Sequence, residues 1–136
     1  MAKAISIRRA FDESNQRTAH FDMYLVKKSS AKVLMTVLYG DTGQSAQTDV
    51  FLEGRQPDKG IIGNIEDYDL GTNNSLNGKF LDVYAAVTDV SNTSDLTSIE
   101  FHLEGGVDRY KYSMEKTVQQ QGGTVIYKMS IFFSND

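Results

Sequence analysis

Apolar and polar positions alternate with period two over most of the chain, and β-branched and aromatic residues fill the apolar places. That is the pattern of strands that bury one face. Ala4 to Phe11 reads as a first strand, with Ile5 and Ile7 facing one way. Ala19 to Val26 sets Ala19, Phe21, Met23 and Leu25 on one face and His20, Asp22 and Tyr24 on the other. After the polar turn Lys27 to Lys32, the run Lys32 to Tyr39 is almost continuously apolar and predicts a central strand buried on both faces. Thr48 to Glu53 follows as a short strand. Phe80 to Val90 alternates Leu81, Val83, Ala85 and Val87 against Asp82, Tyr84 and Ala86. Thr97 to Glu104 points Ile99, Phe101 and Leu103 inward. Val107 to Val118 carries Tyr110, Tyr112 and Met114 opposite Arg109, Lys111, Ser113 and Glu115, and Thr124 to Phe133 is a last hydrophobic strand.

No segment of ten or more residues carries a clear apolar stripe at helical spacing. The expected fold is therefore all-β: a single antiparallel β-sandwich of about seven or eight strands over residues 1–136, with a partly open barrel as the runner-up and no substantial helix. The loops SNTSD, GG and QQQGG are of hairpin length, so the last four strands read as an antiparallel meander. Residues 54–79 stand apart as a long connector. A structureless loop of that length is uncommon in a compact domain, so Ile61, Ile62 and Ile65 are expected to pack a short edge strand or turn onto the core.

Composition excludes more than it assigns. The 136 residues hold no cysteine, which removes disulfides and thiolate metal sites. The start of the chain does not read as a signal peptide, and no apolar run reaches membrane-spanning length. The expectation is a cytoplasmic protein, or one released without a signal peptide as part of an assembly, with no membrane insertion. The net charge of −4 conceals a segregation: residues 1–39 carry +4, residues 40–106 carry −9, and the remainder +1. Such a pattern suits cation capture, a basic partner or self-association, unless interleaved strands mix it in space.

The acidic stretch Glu66-Asp67-Tyr68-Asp69 lies in the long connector. Asp67 to Gly71 resembles the opening of an EF-hand calcium loop, yet Gly71 stands at its fifth position, Thr72 at its sixth and Gly78 at its twelfth. The acidic loops also resemble those of C2-type domains, where aspartates from separate loops converge on calcium at one end of a sandwich. On that comparison Asp41, Asp89 and Asp95 form the first candidate metal set, and Asp67 and Asp69 join only if the connector crosses the sandwich or carries an extra strand.

His20 and His102 fall on polar strand positions and, if they converged with carboxylates, would supply acid–base or zinc chemistry. GxSxG, P-loop and GxGxxG motifs are absent. Nucleic acid is not expected, because alternation separates Tyr110 and Tyr112 from Arg109 and Lys111. The two sequons, Asn73-Asn74-Ser75 and Asn92-Thr93-Ser94, read as turn chemistry.

Together these readings point to a non-enzymatic structural or protein-binding subunit of a larger assembly, with no cofactor. Its expected interaction surfaces are strand edges, the basic residues Arg8, Arg9, Lys27 and Lys28, and the acidic Glu66, Asp67 and Asp69. The alternative is a calcium- or carbohydrate-binding module that uses the acidic and Asn-rich loops.

Overall fold

The computed structural model describes residues 7–14, 16–40, 44–89, 96–118 and 123–135, with the main chain alone at 44 and 89. In chain order the elements are α1 (Ile7–Glu13), β1 (Arg17–Leu25), β2 (Lys32–Tyr39), β3 (Gln44–Leu52), β4 (Asp58–Ile62), β5 (Ile65–Thr72), α2 (Asn73–Leu76), β6 (Phe80–Asp89), β7 (Leu96–Glu104), β8 (Tyr110–Thr117) and β9 (Thr124–Ser134). They form two sheets, a five-stranded one in the order β1-β9-β6-β3-β4 and a four-stranded one in the order β5-β2-β7-β8. The fold is an all-β sandwich.

Alternation explains the core. From the four-stranded sheet Val33, Met35, Val37, Ile99, Phe101 and Leu103 point inward. They meet Leu81, Val83, Ala85 and Val87 of β6 and the inward side chains of β9. Fully burying each large side chain of this kind contributes about 1.5–3 kcal/mol. Among the described residues, hydroxyl–hydroxyl contacts cross between the sheets from Tyr39 to Thr48 and from Tyr127 to Thr97, the latter at 2.6 Å. Burial pushes the Tyr39 phenol up to about 12, against the opposing effect of its Thr48 bond.

Several expectations change. The first strand is instead the helix α1, because Ile7, Ala10 and Phe11 recur at helical spacing and pack on Tyr84 and Ile126 over the outer face of the five-stranded sheet. A seven-residue helix is not stable alone, so this packing holds it. The last four strands are not a meander. Only β7 and β8 pair as consecutive neighbours, while β6 and β9 pair with each other in the opposite sheet. β1 and β9 run parallel, with Arg17 opposite Ile126, which no hairpin rule reveals. β2 is central as expected, but only one of its faces is buried; Leu34, Thr36 and Leu38 lie half-open on the outer side.

The connector 54–79 contains two edge strands. Ile65 and Leu70 of β5 both reach the core although their parities differ, because the pairing with β2 slips where Asp67 takes φ 52°. Such bulges turn a strand by one residue. Ile61 packs on the core, whereas Ile62 is 74% exposed. Fully buried Asn73 then ties three segments together. Its Oδ1 accepts from the Lys27 amide at 2.9 Å, and its Nδ2 donates to the carbonyls of Ala31 at 2.7 Å and Gly105 at 3.0 Å. Gly105 has φ 101° and sits where an added Cβ would meet the Lys32 carbonyl oxygen at 2.1 Å, so only glycine fits this corner.

Candidate functional site

β1 obeys the alternation but reverses its sense. The apolar row Ala19, Phe21, Met23 and Leu25 faces outward, and the polar row His20, Asp22 and Tyr24 faces inward. Phe21 is 62% exposed, Met23 50%, Leu25 43%, and Phe80 of β6 joins them at 47%. The rings of Phe21 and Phe80 lie 6.5 Å apart, and those of Phe80 and Phe132 4.7 Å apart, so the row continues across β9 to β6. At about 200 Å² for a large side chain, these four exposures amount to roughly 400 Å² of apolar surface. α1 covers the other half of this sheet face, where Arg17 bonds the Phe11 and Asp12 carbonyls.

The polar row is satisfied inside. The strands β1 and β8 border the same open side of the sandwich, and their inward side chains close it. His20 stacks on Tyr112 at 3.6 Å, and its Nε2 lies 3.4 Å from Asp22 Oδ2. Tyr110 donates to that same carboxylate oxygen at 2.8 Å, while Asp22 Oδ1 accepts from the Met23 amide at 2.8 Å. Tyr24 donates to the Asp108 carbonyl and accepts from the Gly106 amide. Burial pushes the Asp22 carboxyl up, but the Met23 amide, the Tyr110 hydroxyl and His20 outweigh it and hold it below the usual carboxylate range. Burial, with the Asp22 carboxylate beside it, raises Tyr110 above the usual phenol range.

Because β1 is polar inside and apolar outside, its outer row stays about half exposed, with Phe21 against Phe80. It is also an edge strand. The Gln16 carbonyl and the Val26 amide, both even-numbered, bond to β9. Alternation therefore turns the main-chain groups of Arg17, Ala19, Phe21 and Met23 away from the sheet. Of these only the Met23 amide has a described partner, the Asp22 carboxylate; at the strand's end the Leu25 carbonyl accepts from Val107.

A second depression lies on the outer face of the four-stranded sheet, with a volume of about 350 Å³, floored by Leu34, Thr36 and Leu38 and rimmed by His102, Arg109 and Lys111. His102 Nε2 is buried without a hydrogen-bond partner, and Lys111 is occupied by Glu100 at 3.1 Å. His20 faces into the sandwich and His102 out of it, so the two histidines do not converge.

The remaining sequence candidates are dispersed. Asp41 and Asp95 lie outside the described residues, and Asp89 ends β6, its main chain paired with Gln44. Asp67 and Asp69 sit on β5, the edge of the other sheet, where Asp69 meets Lys32 Nζ at 2.6 Å and the Gly71 amide at 2.8 Å. Among the described residues no three His, Cys, Asp or Glu side chains come together to hold a metal. Exposed Glu66 also lies on β5, Arg8 and Arg9 on α1, and Lys27 and Lys28 after β1, so the expected interaction residues occupy separate elements. Each sheet draws strands from the basic, the acidic and the near-neutral thirds of the chain, which mixes the charge segregation in space. The acceptor of the sequon Asn73-Asn74-Ser75 is buried and bonded in the fold. Among the described residues no helix is long and apolar enough to cross a membrane. Comparison of the chain with protein-family models, curated proteins and solved structures finds no match.

Proposed function

We propose that this chain is a non-enzymatic, protein-binding structural subunit that enters a larger assembly through the outer face and free edge of β1. The observation that carries the reading is the outward row Phe21, Met23 and Leu25, continued by Phe80, on a strand whose outer main-chain groups are open. Edge strands are ordinarily blunted by short length, lysine, proline or a bulge. β1 is nine residues long, pairs with β9 without a slip, and has neither lysine nor proline. Its inward charge, Asp22, is taken up by Tyr110 and His20, which leaves Arg17 at its start as the one charge on the outer row. An apolar face of this size beside a strand edge offers both terms used in strand addition, main-chain hydrogen bonds and side-chain burial.

A photo-crosslinking amino acid placed at position 21, 23 or 62 in the producing cell tests this. Adducts with one identified protein from positions 21 and 23, but not from exposed Ile62 on the opposite edge, are expected. Equal adducts from all three positions, or none from 21 and 23, refute the reading.

A further inference from the structure

Building on that reading, we infer that the occupant of the β1 edge is a second copy of this chain, paired antiparallel across a two-fold axis at Phe21. The strand is self-complementary about that residue. The outward-directed main-chain groups of Ala19, Phe21 and Met23 are symmetric about it, so Phe21 faces Phe21 of the second copy as a hydrogen-bonded pair. Ala19 then faces Met23 of the second copy, a small side chain against a large one.

The inward row selects the same register. Centring on Phe21 sets each His20 opposite Asp22 of the other copy, so opposite charges meet whenever the imidazole is protonated. Centring one residue earlier sets His20 against His20, which costs free energy when both are charged. The Val107 amide bonded to the Leu25 carbonyl stops pairing at that end. The Met23 amide exchanges its Asp22 carboxylate for the Ala19 carbonyl of the second copy.

The product is a continuous ten-stranded sheet in which the two apolar rows become one. Side chains of this row stand perpendicular to the sheet, so edge pairing covers only the flanks of Phe21, Met23 and Leu25, and Phe80, two strands in from the edge, does not reach the second copy. The apolar area covered is well below the roughly 800 Å² that a partner brings to a standard interface. Main-chain pairing and the rim supply the rest, and the dimer is accordingly concentration-dependent.

Because the chain has no cysteine of its own, single substitutions report the register directly. A hydrogen-bonded antiparallel pair has Cα atoms about 5.5 Å apart, within disulfide range. Phe21→Cys is therefore expected to oxidise to a symmetric dimer. Ala19→Cys mixed with Met23→Cys is expected to crosslink at least about tenfold faster than either alone, since four residues of offset separate like positions by more than 10 Å. Sedimentation equilibrium of the unsubstituted chain is expected to show monomer and dimer, and Met23→Asp to leave monomer with an unchanged far-UV spectrum.

A chain that stays monomeric at millimolar concentration overturns the inference, and so do equal crosslinking rates for the mixed and single variants. If that happens while positions 21 and 23 still capture another protein in the cell, the second copy is refuted and the subunit reading stands. Failure of both removes both.

Discussion

Replacing Asn73 by alanine is expected to destabilise the fold by about 3 kcal/mol. The side chain holds the Lys27 amide, the Ala31 carbonyl and the Gly105 carbonyl, joining the β1–β2 turn, the start of α2 and the β7–β8 turn. The Ala31 carbonyl keeps a bond after the substitution, because the Asn73 main-chain amide also donates to it at 2.9 Å. Two groups are therefore orphaned, the Lys27 amide and the Gly105 carbonyl. Each stranded group costs about 1–3 kcal/mol, and the lower half of that range suits sites at turns. A chain of 136 residues gains about 0.3 kcal/mol per degree in unfolding entropy, so 3 kcal/mol lowers Tm by about 10 °C. Asn73→Asp keeps the shape and the Lys27 bond, but a carboxylate cannot donate to two carbonyls. Its defect is expected to exceed that of alanine at pH 7 and to shrink as acid supplies a proton. Asn74→Ala, at the exposed neighbour, is the control and stays within about 0.5 kcal/mol of the parent. Urea melts of the three variants decide it. If Asn73→Ala and Asn74→Ala unfold alike, the buried amide does not organise this corner and the reasoning is wrong.

Gly105→Ala combines a positive φ with a Cβ placed 2.1 Å from the Lys32 carbonyl oxygen, and is expected to cost about 3 kcal/mol or more in a urea melt. An unchanged midpoint would show that the hairpin can move away from β2. The Asp22 carboxyl titrates lower in the folded chain than in the unfolded one, so its stabilisation is fully present above the unfolded value near pH 4 and is lost as pH falls through the lower folded value. Asp22→Asn is therefore expected to flatten the dependence of Tm on pH below about pH 4, and an identical slope would contradict the network with Tyr110 and His20.

The period of most core strands was legible in the sequence, but the sense of β1 was not. Leu81 to Val87 and Ile99 to Leu103 point inward as alternation requires; the other face of β7 is polar, and that of β6 carries Asp82 beside Tyr84 and Ala86, which pack under α1. In β1 the same rule separates the two rows without saying which one is buried. The answer depends on Tyr110 and Tyr112 of β8, nearly ninety residues away, which give His20 and Asp22 an aromatic, hydrogen-bonding lining. The candidate face was hidden for that reason: an apolar row reads as core until its neighbours are known.

The helix had a usable signal in Ile7, Ala10 and Phe11, masked by the competing alternation of Ile5 and Ile7. The acidic connector holds the edge strand that Ile61 and Ile65 announce, but the extent of β5 was hidden for a related reason. Asp67 marks a bulge at which inward parity switches between Ile65 and Leu70, so a strict period-two reading finds no strand there.

The parallel pairing of β1 with β9 sets an order of events during synthesis. Arg17 and Ile126 are 109 positions apart, which the ribosome takes about 5 to 20 s to cover. Throughout that interval β1 has neither edge paired in its sheet, and Phe21, Met23 and Leu25 stand beside two rows of open amides and carbonyls. The strand that keeps one unpaired edge in the folded sheet has both edges unpaired while the chain grows.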